Sequence, residues 1–462
     1  MTRPRWLSGL DASFLHLESA AQPLQVISVL ELDTSTIPGG YDWDHFRHAL
    51  TLRLRGLPAF RERPARGVAH LGRPVWVDDG DLDGDHDLDR HLHRIGLPAS
   101  PGRAELARIC GELAALPLGR DRLPWEMWVI EGGQDPDRLA VMVKVHHAAA
   151  DGVTFAAMLS QLCSTDIDCP PAVPAAPMPS ARRLVLVIGG LARFLGRLPY
   201  AVALLPATAR AVVDTVRRAV SGRAMAAPFT APRTALNARL TPARRVAFAR
   251  LDLDDVKRVK NHFGVTVNDV LMALIGGVVR QFLLERGELP SRSLVALVPV
   301  SVHESVERQE RNQVSGMYAR LLTQIADPAE RLRAMAPANT IAKEHSSSIG
   351  AMLLQDWCEL TGPVTLGIAK RAYARITRFR PMYNVIVSNV PGPRARYFLG
   401  AEITAMYPFG PVLHGAGLNI TMWTVNGVLH VGVISCPDLL GDPGALADGL
   451  ATGLRQLLAE VD

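Results

Sequence analysis

Cysteine is scarce: five residues in 462, Cys110, Cys163, Cys169, Cys358 and Cys436, odd in number, widely spaced and with no CxxC pair. Such usage argues for a reducing compartment and against a disulfide framework or a cysteine zinc site. Aromatic residues make up only 6%, and no Lys/Arg run carries interleaved aromatics, so a nucleic-acid surface is not indicated. No run of about 18 uncharged apolar residues occurs, so no segment reads as a clear membrane span. The opening stretch MTRPRWLSGLDASFLHLE puts polar residues through any would-be apolar stretch, unlike a secretory leader. A GxSxG elbow, a Walker loop and a Rossmann glycine fingerprint are all missing. Neither a serine acyl-enzyme nor a nucleotide held on a phosphate loop is therefore expected.

What is present is a large, greasy, globular chain. Hydrophobic residues reach 48% against 21% charged, and the mean hydropathy is +0.11. The length exceeds one ordinary core and suits two domains of about 200 residues each. The net charge of +5 and pI near 9.1 are spread along the chain. That mild excess suits an anionic membrane surface or a polyphosphorylated substrate.

The chain partitions into 1–165, a linker over 166–240, and 241–462. Pro170, Pro171, Pro174, Pro177 and Pro179 forbid regular structure between Ser164 and Ser180. Leu184–Val220 then reads as one or two crossover helices, apolar but punctuated by Arg193, Arg197, Arg210, Arg217 and Arg218. Such a segment either buries against the domains or rests on a lipid surface. On both sides the pattern is α/β. Strands are expected at Val26–Leu32, Leu139–Val145, Arg245–Leu251, Leu294–Val300, Val385–Val390 and Val428–Ile434. Helices are expected at Arg103–Leu116, Gly152–Leu162 and Val270–Arg286, the last with apolar residues at 3.6-residue spacing and Gly287 as its stop.

Chemistry concentrates in Val141-Met-Val-Lys-Val-His146-His147-Ala-Ala-Ala-Asp151-Gly152. Strand alternation puts Val141, Val143, Val145 and His147 on one face, and Met142, Lys144 and His146 on the other. The valine face is the core-side face, so His147 points inward with His146 beside it. A partly desolvated, neutral imidazole there suits a general base near pH 7. His146, His147, Asp151 and Gly152 are the candidate catalytic set. Asp151 takes a direct catalytic part, caps the following helix with Gly152 next to it, or holds the histidine loop through an arginine.

This HHxxxDG segment resembles that of the acyltransferases with a chloramphenicol-acetyltransferase-like fold. Further blocks resemble the bacterial wax ester synthase/diacylglycerol acyltransferase family in particular. They are Leu7-Ser-Gly-Leu-Asp11-Ala-Ser-Phe14, Pro117–Glu126, Pro232–Asn237, Asn268-Asp269, Asn384–Pro393 and Gly417-Leu-Asn419, in the family's order and across almost the whole chain. Three positions depart from the pattern: Gly119 stands for Asp, His303 for Arg, and Arg311 for the Gly before Asn312.

The resemblance implies two such domains forming a pseudo-dimer with an active-site channel between them. It implies that His147 takes the proton of an acceptor hydroxyl, that the alkoxide attacks acyl-CoA, and that the proton passes to the leaving thiolate. Acyl-CoA is then a substrate and no cofactor is expected. Diacylglycerol or a fatty alcohol is the expected acceptor, another lipid or polyketide hydroxyl the alternative, and a lipid-binding protein with decayed activity the reading from a different class. The expected setting is cytoplasmic, peripheral at the inner membrane face or on lipid inclusions. Asn268 is a candidate oxyanion donor, with Asp269 in support. The same residues read equally as a Thr266–Asp269 capping box.

Overall fold

In a computed structural model, residues 5–65, 73–78, 88–97, 102–132, 137–167, 183–301, 312, 314–349, 353–377 and 379–461 are described. Two six-stranded sheets organise them. The N-terminal part supplies α1 (Gly9–Leu17), β1 (Gln25–Asp33), α2 (Trp43–Gly56), β2 (Glu62–Ala65), β3 (Val75–Asp78), β4 (Leu92–Gly96), α3 (Arg103–Ala115), β5 (Trp125–Glu131), β6 (Arg138–His146) and α4 (Gly152–Leu162). Two crossover helices follow, α5 (Arg183–Leu195) and α6 (Arg197–Val220). The remainder contributes β7 (Arg245–Asp252), α7 (Leu253–Phe263), α8 (Val267–Glu285), β8 (Val295–Ser301), β9 (Val314–Arg320), α9 (Pro328–Ile349), α10 (Leu353–Cys358), α11 (Pro363–Thr377), β10 (Val385–Pro391), β11 (Tyr397–Phe398), β12 (Ala401–Phe409), β13 (Leu418–Val425), β14 (Val428–Ser435), α12 (Pro437–Leu440) and α13 (Gly444–Leu458). Most of the Pro-rich stretch between Ser164 and Ser180, together with His303 and Arg311, lies outside the described residues.

The first sheet runs β11-β12-β1-β6-β5-β4 and the second β7-β14-β13-β10-β8-β9, with β2 and β3 forming a separate pair. The chain halves and the sheets are not coextensive. β12, from the C-terminal half, pairs antiparallel with β1, setting Val29 opposite Tyr407. Without it β1 would present an open edge of unpaired N–H and C=O groups.

The valine face of β6 packs as the alternation predicts, into a core with Leu30, Trp125, Phe155 and Trp423. The opposite face is buried too. Met142, Ile27 and Val29 meet Tyr407, Phe409, Val246 and Ile434, which belong to strands of both sheets. Lys144 lies on that face and is fully buried. Its ammonium donates to Leu116 O at 2.9 Å and stands 3.3 Å from Glu126 Oε2. A lysine is tolerated there because both partners accompany it out of water.

Among the described residues two helical stretches are long and apolar enough to cross a membrane, and burial separates them. In Val267–Glu285, the core helix of the second sheet, 61% of the most apolar 18-residue window is buried, whereas in Ile188–Val220, of mean hydropathy 1.3, only 12% of that window is. Both expectations for the crossover segment hold in part. One side of α6 lies against the C-terminal half, where Thr208 accepts from Trp357 Nε1 at 3.0 Å and Thr215 lies 3.2 Å from His345 Nε2, while most of its apolar residues stay exposed. Leu195, Leu198, Leu205, Val216 and Val220 are all more than half exposed.

Candidate active site

Local sequence sets the histidine turn. β6 ends at His146, and the chain turns through residues 147–149 before Asp151 caps α4. The Asp151 carboxylate accepts from Thr154 N at 2.8 Å, and the side chain is buried. That is the N-cap role its position in the sequence allowed. His147 N donates to Leu24 O at 2.8 Å, and Ala149 N to His146 O at 2.8 Å. Gly152 opens α4 where a Cβ would stand 3.0 Å from Val390 Cγ2 on β10. A larger residue there would push α4 away from the second sheet.

The two histidines separate. His146 turns from the cavity: its Nδ1 accepts from Ala148 N at 3.0 Å, and its Nε2 lies 3.4 Å from Glu18 Oε1. Burial would raise the Glu18 carboxyl, but His146, the Leu24 N–H and Arg120 together hold it below the usual range. The His147 ring instead lines a cavity of about 930 Å³ that reaches residues of both sheets.

Three groups fix that ring. Phe14 stacks on it with centroids 4.2 Å apart and planes 23° from parallel. Asn312 Oδ1 lies 3.1 Å from His147 Nδ1, and Asn312 Nδ2 donates to His147 O at 2.8 Å and to Asp11 Oδ1 at 2.6 Å. The amide oxygen can only accept, so Nδ1 carries the proton and Nε2 is left with a free lone pair. Asp11 and Phe14 sit at i and i+3 of α1, one face of one helix. Burial pushes the His147 pKa below the ordinary histidine value, with the Asp151 charge opposing.

Asn268 and Asp269 occupy the first turn of α8. Asp269 completes the capping box with Thr266 and also accepts from Asn339 Nδ2 at 2.8 Å. Asn268 is half-buried and is not among the described residues lining the cavity. The donors that do line it near the end of β10 are Ser388 and Asn389. Gly119 abuts the Arg122 side chain, where the family's aspartate would give that guanidinium a partner. Among the described residues no group of three or more His, Cys, Asp or Glu is placed to hold a metal ion.

A family profile described as the wax ester synthase/diacylglycerol acyltransferase catalytic domain matches residues 7–271, and the family's C-terminal domain matches residues 311–458. The chain belongs to the wax ester synthase/diacylglycerol acyltransferase family. A protein of Mycobacterium tuberculosis H37Rv, provisionally named a diacylglycerol O-acyltransferase, is 50% identical over 98% of this chain and 90% of its own length. Another from the same strain with the same provisional name is 33% identical over 98% of this chain and 97% of its own. The solved wax ester synthase/diacylglycerol acyltransferase from Marinobacter aquaeolei VT8 superposes with a TM-score of 0.70 at 27% identity, covering 99% of each chain. A condensation domain of the calcium-dependent antibiotic synthetase, at TM-score 0.58 and 19% identity over 100% of this chain and 97% of its own, shares the fold alone. The α/β fold of two acyltransferase-like domains expected from the sequence is thus the fold observed, and this family member is an acyl-CoA acyltransferase.

The family blocks located Asp11, Phe14 and Asn312 without assigning them a place in the site. Asn312 follows the Arg311 departure and is 165 residues from His147, so no local pattern links the two.

Proposed function

We propose that the chain moves a long-chain acyl group from acyl-CoA to the hydroxyl of diacylglycerol or a fatty alcohol, with His147 Nε2 as the general base. The observation that carries this reading is the His147 imidazole, held by Asn312 with Nε2 free, on the wall of a cavity of about 930 Å³. That volume is at the upper end of the roughly 300–1,000 Å³ usual for ligand sites. Nε2 takes the hydroxyl proton as the acceptor oxygen attacks the thioester carbonyl. A tetrahedral oxyanion forms, the C–S bond breaks, and the proton passes from Nε2 to the departing CoA thiolate. The ester and CoA thiol leave, and no acyl-enzyme is formed. Ser388 and Asn389, rather than Asn268, are the donors to test at the oxyanion, because they line the cavity.

The exposed face of α5 and α6 supports a peripheral seat on a membrane or lipid inclusion, where both acceptors dissolve. The deciding experiment incubates the protein with labelled palmitoyl-CoA and either diolein or hexadecanol and separates the neutral lipids. Label enters triacylglycerol or wax ester, and His147→Ala loses about 10²–10⁴-fold in rate. Full activity in His147→Ala would remove the base assignment. Label in neither product would remove the acceptors.

A further inference from the structure

One end of the cavity is ringed by cations. The turn between α1 and β1, residues 17–22, carries three of them on its backbone or side chains. Lys370 Nζ donates to Leu17 O at 2.8 Å, Arg120 Nε lies 3.6 Å from Glu18 Oε2, and Arg244 Nη2 donates to Ala21 O at 2.6 Å. Next to them His414 N donates to Gln22 Oε1 at 2.7 Å. Leu17, Gln22, Lys370 and His414 all line the cavity that holds His147. Arg120 and Arg239 are exposed to solvent, and their charges reach Lys370 and His414 respectively. His414 faces Lys370, Arg239 and Arg244, and their charges add to burial in holding its pKa below the ordinary value.

The neighbouring carboxylates do not balance this group. Glu18 is shared with His146, and Asp438 accepts from the Thr241 hydroxyl. Neither Lys370 nor Arg239 forms an ion pair with a carboxylate among the described residues. The carboxylate that acts on Lys370 is Glu18, which is shared with His146 and Arg120, so the rim keeps an excess of positive charge beside a low-dielectric cleft and draws anions toward it.

The remaining rim is different in kind. Thr215 and Ala219 of α6, then Ala224 to Pro228, also line the cavity, and that helix exposes Val212, Val216 and Val220. Two arginines beside it are already matched, Arg218 with Asp214 and Arg223 with Glu344.

Resting on the reading of acyl-CoA as donor, we propose that the Lys370–Arg239–Arg120 rim binds the phosphates of the CoA nucleotide. The pantetheine arm then threads past Gln22 and His414 toward His147, and the lipid acceptor uses the α6 side. CoA carries a 3′-phosphate and a pyrophosphate, which match several cations better than any single one.

The test compares two donors with the same acyl group and thioester, palmitoyl-CoA and S-palmitoyl-pantetheine, which lacks the nucleotide. Both are assayed with hexadecanol on the full-length protein and on the Lys370→Met/Arg239→Gln variant. The ratio of kcat/KM for the CoA donor to that for the pantetheine donor falls by about tenfold or more in the variant. In parallel, adenosine 3′,5′-bisphosphate is titrated calorimetrically, and its binding weakens by a similar factor. Arg239→Gln alone, at an exposed position, gives a smaller shift in the same direction and guards against misfolding of the double variant. A ratio within twofold of the parent, or unchanged nucleotide binding, overturns the proposal. Absence of turnover with both donors in the parent protein would count against the acyl-transfer reading, and the nucleotide titration would still decide the rim.

Discussion

Replacing Asn312 with alanine removes the acceptor for the His147 Nδ1 proton and the donor to His147 O together. The imidazole is then free to take the tautomer in which Nε2 is protonated and cannot act as a base. In a serine protease triad such an error costs about 10⁴-fold. Here kcat should fall by about 10²-fold or more, with a smaller change in KM for acyl-CoA, and His147→Ala/Asn312→Ala should be no slower than His147→Ala alone. Multiplying losses would mean that Asn312 acts elsewhere. The pH profile tests the neighbouring carboxylate. The His147 pKa is lowered by burial, so the neutral base persists below the ordinary value of about 6.5. The acid limb of kcat/KM therefore lies under that pH. Asp151 opposes the shift, so Asp151→Asn, which keeps an N-cap residue, moves the limb further toward acid. Movement toward neutrality would contradict the assignment. At this scale the inward histidine was legible because strand alternation is local and has a period of two. Asn312 and the burial of Lys144 were not, because each depends on partners that only tertiary packing supplies.

One arrangement recurs at the level of helices. Asp11 in α1 and Asp269 in α8 are both the third residue of their helix and close a capping box. Each offers its other carboxylate oxygen to a distant asparagine amide, Asn312 in the first case and Asn339 in the second. Only the first asparagine reaches a histidine. Only the Thr266–Asp269 box was read from the sequence, and the one that supports the site is the Ser8–Asp11 box. The crossover helices show the converse. Their amphipathic composition was plain, but only the low burial of Ile188–Val220 separates a surface helix from a core helix such as Val267–Glu285. Changing Leu195, Leu198, Leu205 and Val216 to serine should at least halve the fraction of protein that floats with anionic vesicles. Each fully buried side chain of this size contributes roughly 1.5–3 kcal/mol. A variant that floats as well as the parent would show that the lipid contact lies elsewhere.

Across the whole molecule the sheets bind the halves of the chain together. In the first 165 residues only β1 and β6 were readable from their apolar runs; the four strands β2 to β5 were not, nor was the membership of β12 in the first sheet. Its hydrophobic pattern suits either sheet, and its place is set by pairing with β1. A fragment ending at residue 240 lacks β11 and β12 and exposes the edge of β1. Expressed alone it should be largely insoluble, and adding residues 241–462 as a second chain should recover soluble protein. A soluble, well-folded fragment on its own would show that the first sheet forms without its two outer strands, β11 and β12.

The same pairing sets a clock. β6 has left the ribosome when roughly 180 residues are made, yet the strand that covers β1 ends at Phe409. At about 5–20 residues per second, the sheet that carries His147 waits roughly 10–50 s for its outer strands. During synthesis the nascent chain therefore passes through a stage in which an apolar β-edge is open and no acyl transfer is possible. Mutations that slow translation between β6 and β12 should lower the yield of active enzyme without altering any residue of the site.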